Sequence, residues 1–437
     1  MSSQVKQETI YTGAFREMQE TSGESAWLKI LRENAIDSFG QLGFPTSDKE
    51  DWKYTNVQPF VKNEFEIARD VEIISSEKIA AFAVAEAQTS VLAFVNGKIS
   101  QEFTNLSGIE NGSVLSLSEA LSDERFSETV KTHLARGVDY EASGFTALNT
   151  ALWQDGAFVF IPKNTKIETP IHLLFVANGE RNAGFPRVLV ALEQGAEATL
   201  IESYVRADET EYLTDSIVEI VLADNARLTH YRVQRESHKA LHVGATSINL
   251  QRASFYDSTN LNFGAALARH DIKLNFNQEA GEAFVDGLYM VGETQHTDTH
   301  SAIEHLVPRC TSHQTYKGVL NGKSRAVFNG KVYVHEGASG TDGYQSNKNL
   351  LLSNDARVDT KPQLEIFNDD VKCAHGATVG QLEDEELFYL LSRGLNESLA
   401  RNLLTYGFAE EVINKIKIES IKKQLDEAVL NRLDAKI

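Results

Sequence analysis

The stretch VKCAHGATVG (371–380) carries a thiol and an imidazole two positions apart, Cys373 and His375. In an extended strand side chains alternate with period two, so both would stand on one side. Three chemistries use such a pair. A nucleophilic dyad needs the base within hydrogen-bond reach of the sulfur, a group to orient it and donors for an oxyanion, and no nucleophile signature surrounds this cysteine. Metal ligation is the second, and two ligands on one chain suit a site that another subunit completes. A buried structural pair is the third, and composition leaves it level with ligation.

Two other stretches invite a chemical reading. HTDTHSAIEHLVPRCTSH (296–313) gathers His296, His300, His305, Cys310 and His313. A four-residue step keeps His296 and His300 on one side of a helix or a strand, but no carboxylate–histidine spacing of a known catalytic metal site is present. The competing reading is polar residues satisfied at turns and on outer faces. GVLNGKS (318–324) resembles a phosphate-binding loop yet encloses three residues between Gly318 and Gly322 where that loop needs four. No helix follows to offer its N-terminus to phosphate, so it reads as a turn. The chain is expected not to hydrolyse ATP itself.

Cys310 and Cys373 are the only cysteines, which fits a reducing compartment and no disulfide framework. Four-thiolate zinc or cubane sites are beyond one such chain. Any cluster would use histidine or carboxylate ligands, or be shared. The formal net charge of −20 opposes nucleic acid or an anionic membrane surface as the main partner. The first residues, MSSQVKQETIYTGAFREMQE, hold no apolar core of a signal sequence, and no apolar run has membrane length. A cytoplasmic protein is expected.

The elements that must position these groups change character along the 437 residues. Apolar spacing predicts helices over 14–42 with Gly43 as the stop, and Ser47 to Glu50 fits a capping box. A β segment follows at 91–99, then helices ending near Gly137. From about 150 to 370 the chain becomes short runs rich in β-branched and aromatic residues, broken by Gly, Asn and Asp. GAEATLIESY, NARLTHYRVQ, ASFYDSTNLN and GEAFVDGLYM stack so that Ala196, Ala226, Ala253 and Gly281 fall in one column. Such a period marks coils that bury a core by stacking. About three short strands fit each coil, favouring a parallel β-helix over a large antiparallel sandwich. After Gly380 helices return. Asn396 can cap one that ends near Gly407, and Val412, Ile416, Ile421, Leu425 and Val429 mark the apolar face of a long helix over Ala409–Leu433. That face must cover either the end of the coils or a partner.

The segments GFPTSDKEDWKYT, FTALNTALWQDGAFVFIPK with PIHLLF, YKGVLNGKSRAVFNGK and KPQLEIFNDDVKCAHGATVGQLEDEELFYLLSRG closely resemble the SufB/SufD family of iron–sulfur cluster assembly scaffolds, in order from about residue 40 to the end. The resemblance implies a mainly β protein, with a right-handed parallel β-helix core over 146–378. It also implies an N-terminal mostly helical α/β domain over 1–145 and a C-terminal helical domain over 379–437. SufB-like chains carry an assembly cysteine before the Lys-Pro pair and a His-Glu pair later on. Here Ala356 and His375-Gly376 stand at those places, which looks like the SufD branch. The resemblance then implies a non-catalytic scaffold of a SufBCD-type complex. It would pair with SufB through the β-helix cores and bind the SufC ATPase through the C-terminal helices, with Ala409–Leu433 in the dock. Sulfur would come indirectly from a cysteine desulfurase system, and the isolated chain could self-pair. His375, with Cys373, would be a ligand for iron or an iron–sulfur cluster held transiently at the partner interface, none being bound by this chain alone. Two rivals from other classes stay open, a β-helix enzyme acting on polysaccharide and a stand-alone metal-binding protein using the 296–313 histidines.

Overall fold

The computed structural model describes residues 9–21, 23–68 and 74–432. Its centre is a parallel β-solenoid of about 8 turns. Each coil contributes one strand to each of two sheets, from Gly156–Ile161 and Ile171–Ala177 in the first coil to Arg357–Ile366 and Val371–Gly380 in the last. The coil is therefore two strands, mostly of nine or ten residues in its middle turns, not about three short ones. Gly, Asn and Asp in the sequence mark the corners between sheets, and the reading by breakers counted too many of them as strand ends.

One corner repeats along the solenoid. Asn164, Gly195, Asn225, Ala253, Ala280, Arg309 and Gly340 all take left-handed backbone, with φ between 52° and 70°. From Gly195 onward each N–H donates to a carbonyl of the following coil, as Asn225 does to Arg252 (2.8 Å) and Ala253 to Glu279 (3.0 Å). Ala253 therefore belongs to this ladder and not to the column of Ala196, Ala226 and Gly281. Register pairs Arg227 with Phe255 and Phe255 with Glu282, so Ser254 fills that column. Small residues occupy both neighbouring columns, which is why stacking the sequences slipped by one.

The N-terminal helices Ile10–Thr21, Ala26–Leu42 and Gly144–Leu152 pack on the outer face of the first sheet, against Phe158, Leu189, Leu213 and Leu241. Gly43 ends the second helix at φ 61°, its N–H on the Phe39 carbonyl (2.8 Å). The capping box expected at Ser47 does not form. Glu50–Trp52 is a single 3₁₀ turn preceded by Lys49, without a side-chain cap, because this segment is laid along the sheet by other contacts.

The C-terminal apolar stripe is carried by two helices, Glu397–Ile413 and Glu419–Arg432, broken at 414–418. Asn396 caps the first, accepting from the Leu399 N–H (2.8 Å), and the helix runs through Gly407. Val412, Ile416, Ile421, Leu425 and Val429 are all buried on the outer flank of the second sheet, against Tyr231, Leu261, Leu288 and Val319. The stripe thus covers the flank of the second sheet and not the end of the coils. Leu433 lies outside the described residues. Lys415 pairs with Asp286 (2.6 Å), Lys317 with Glu411, and Ser420 with Glu86, so these helices are pinned along the solenoid.

Candidate functional site

Cys373 and His375 lie on Val371–Gly380, the last strand of its sheet, with Gly343 and Gln345 as their register partners in the coil below. Sharing parity with Val371, they belong to the lumen side of an end that no further strand covers among the described residues. Cys373 is half-buried against the core, and His375 is exposed. Burial pushes the Cys373 thiol above its ordinary value, opposed by a hydrogen bond from the Gly343 backbone and assisted by Asp342. A Cβ on Gly343 would sit 3.1 Å from the sulfur, so glycine gives it room. A raised thiol is a poor nucleophile at neutral pH. No group of three His, Cys, Asp or Glu able to hold a metal occurs among the described residues, so the pair stands as two donors at an open edge.

That edge follows from ladder geometry. The N–H of Asp342 reaches back to the Cys310 carbonyl of the coil below (3.1 Å), and alternate residues of a parallel strand repeat the direction. Register pairs Asp342 with Lys372, so Cys373, His375, Ala377 and Val379 turn their N–H groups outward. Ile366, Phe367 and Val379 are exposed beside them. The next helix, Asp384–Ser392, buries none of its residues and exposes Phe388 (73%) and Tyr389 (56%), with Leu399 and Leu403 on its neighbour.

The histidines of 296–313 part company. His296 meets the Thr55 hydroxyl (2.9 Å), which donates to Asp298 (2.5 Å), while His300 (3.0 Å) and Arg269 (3.0 Å) also hold Asp298. Burial opposes ionisation of Asp298, but Arg269, His300 and Thr55 outweigh it and hold its carboxyl at about 2. Arg269 also lies 3.9 Å over the Trp52 ring and donates to the Asp51 carbonyl (2.5 Å). This clasp lays DWKYT on the sheet. His305 faces the lumen, bonded to Ser312 (2.8 Å), and burial pushes its imidazole down to about 4. Cys310 is fully buried, with its thiol raised by burial, and His313 faces Asp342 (3.4 Å). His296 and His300 do share one face of the strand, as the four-residue step implies, and both are taken up in the Thr55–Asp298 clasp, while His305 and Cys310 are buried. GVLNGKS is the end of Thr311–Leu320 and a turn, with Gly322 at φ 64°.

Sequence reading missed a charged cluster inside the middle coils. Arg232 only donates, so His242 Nε2 accepts from it (2.6 Å), which leaves Nδ1–H to donate to Glu236 (2.7 Å). Glu236 also takes Thr214 (2.7 Å) and Gln234 (2.8 Å). Beside it His230 bonds Glu202 (2.7 Å) and Tyr256 (2.9 Å). Burial opposes both carboxylates, and their histidine partners still hold them below the ordinary range. Alternation of HYRVQRE places His230, Arg232 and Gln234 on one face, a signal present but indistinguishable from a solvated face.

Comparison with known proteins gives a consistent result. Residues 175–408 match the model described as SUF system FeS cluster assembly, SufBD core domain, and residues 5–173 match the SufBD protein N-terminal region. A Synechocystis iron–sulfur cluster assembly SufBD family protein is 35% identical over 95% of this chain and 94% of its own. The iron–sulfur cluster assembly protein SufD of Escherichia coli is 33% identical over 90% of each. That of Bacillus subtilis is 28% identical over 94% of this chain and 95% of its own.

Proposed function

Because the chain belongs to the SufBD family of SUF-system iron–sulfur cluster assembly proteins, we propose that it serves as the SufD-like scaffold subunit of a SufBCD-type complex in the cytoplasm. The observation that carries this reading is the final coil. Its two edge strands lack an outer neighbour among the described residues, and one of them holds Cys373 and His375. Unpaired edges on long strands invite strand addition, and natural chains normally blunt them. SufB is the proposed neighbour there, and a second copy of this chain would take the place in isolation.

Iron or a nascent cluster is the cargo of the pair, not a resident group. A thiol and an imidazole are suitable donors for iron, and two of them leave positions for a partner's ligands. ATP hydrolysis is assigned to SufC, since 318–324 forms a strand end and turn. Its dock is the exposed face of Phe388, Tyr389, Leu399 and Leu403. Sulfur reaches the complex from a cysteine desulfurase system.

The polysaccharide reading loses its basis, because the core family model and the relatives name cluster assembly. Among the described residues no helix is long and apolar enough to cross a membrane. Co-expression with the SufB and SufC proteins of the same genome tests the proposal. Co-purification of all three supports it, as does a His375→Ala complex that assembles but no longer acquires iron or cluster. Recovery of the chain without either partner contradicts it.

A further inference from the structure

The floor of the open coil holds a third polar group that the two-ligand reading leaves unused. Gln314 and Gln345 are register partners, and Gln345 is in turn the partner of His375, so the three stack in one column that ends at the mouth. Both glutamines are fully buried. Gln345 donates its Nε2 to Gln314 Oε1 (2.8 Å), which also accepts from Ser301 (3.0 Å) across the lumen. A Cβ on Gly330 would lie 2.3 Å from Gln345 Nε2, so a glycine makes room for the amide there.

With the Nε2 turned to the coil below, Gln345 Oε1 is left without a partner. A buried amide oxygen without a hydrogen bond is disfavoured, so its place here calls for a donor. The group above it in the column is an imidazole. A metal-bound histidine commonly donates its other ring N–H to an oxygen, which fixes the tautomer and the ring.

We infer that Gln345 is a positioning residue for the half-site. Its amide oxygen accepts one ring N–H of neutral His375, so the other nitrogen is offered to iron beside the Cys373 sulfur. An amide raises the basicity of its histidine less than a carboxylate does, which suits a site that passes its metal on. The inference rests on reading Cys373 and His375 as iron ligands, and the test separates the two.

The probe is Co(II), titrated anaerobically into the full-length chain and followed by its thiolate charge-transfer and d–d bands. Wild type should bind, and Gln345→Leu should weaken binding by roughly 10–100-fold at an unchanged melting temperature. Gln345→Glu should retain binding and move its acid limb to higher pH, since a carboxylate neighbour raises the proton affinity of His375. That second variant decides the matter if the leucine variant does not fold, and an unmoved acid limb then overturns the inference. Binding within twofold of wild type in Gln345→Leu, with His375→Ala abolishing it, overturns the role of Gln345 alone. No Co(II) bands in wild type, or bands indifferent to His375→Ala and Cys373→Ser, overturn the half-site and this inference with it.

Discussion

The two ends of the solenoid are built to opposite rules. At the first coil, Val91–Val95 pairs in parallel with Ile171–Ala177, and Ser113–Ser116 pairs antiparallel with Gly156–Ile161. Phe94, Phe175 and Tyr204 stack through that end at 5.2 and 5.1 Å. At the last coil Arg357–Ile366 and Val371–Gly380 have one sheet neighbour each among the described residues. A solenoid normally closes both ends with capping elements, because an uncovered coil exposes core and backbone together. Among the described residues one end is capped and the other bare, a division that would keep stability in the closed coils and leave the last coil for the association proposed above. The same division separates histidines: His172, His230, His242 and His305 are enclosed, and His375 is exposed.

Variants on either side of that division should fail differently. The largest effect is expected in the closed lumen. Arg232→Leu removes the cation that donates to His242 and lies beside the Glu202 carboxylate, and removing one partner of a buried ionic cluster costs about 3–5 kcal/mol. Chemical denaturation should show that loss. A stability within 1 kcal/mol of wild type, on the order of an ordinary surface change, would break the contrast.

At the open end Ala377→Pro should leave the fold alone, because the N–H it removes points outward and proline is tolerated on edges. Pairing with the partner should weaken by roughly 10–100-fold, the equivalent of about 1.4–2.8 kcal/mol. Analytical ultracentrifugation or co-purification yields read this directly. A melting temperature that collapses while pairing persists would invert the assignment. Further along, Phe388→Ala should cost ATPase binding about tenfold without moving the melting temperature, as expected of an exposed apolar anchor.

A last prediction is a pH slope. Burial, with Arg235, pushes His172 from 6.5 down to about 3, and burial pushes His305 to about 4. Both folded values lie below the unfolded one. Their stability is therefore whole above pH 6.5 and falls as the unfolded chain takes up protons that the fold refuses, down to about 4 and then 3. Melting temperature measured against pH should decline across that window. His305→Gln should flatten the decline.

Much of this was legible in the residues. Period and corner residues indicated stacked coils. Three things escaped. The column slipped at Ala253 because alanine and serine are equally small, and only φ tells the corner from the lumen. The C-terminal stripe was seen as a face, but its cover is the flank of a sheet far away in sequence. Arg232, Glu236 and Gln345 alternate as solvated strands do, and a lumen filled with polar groups breaks the rule that period two separates oil from water. Long-range closure decides all three, and it leaves no local trace.

Hydrogen exchange over Val371–Gly380 probes the open end most directly. In the isolated chain at low concentration, the outward amides of Cys373, His375, Ala377 and Val379 should exchange rapidly, and in the complex with SufB they should become protected. Amides already protected in the dilute monomer, or equally exposed with SufB bound, would mean that the last coil is not where the partner joins.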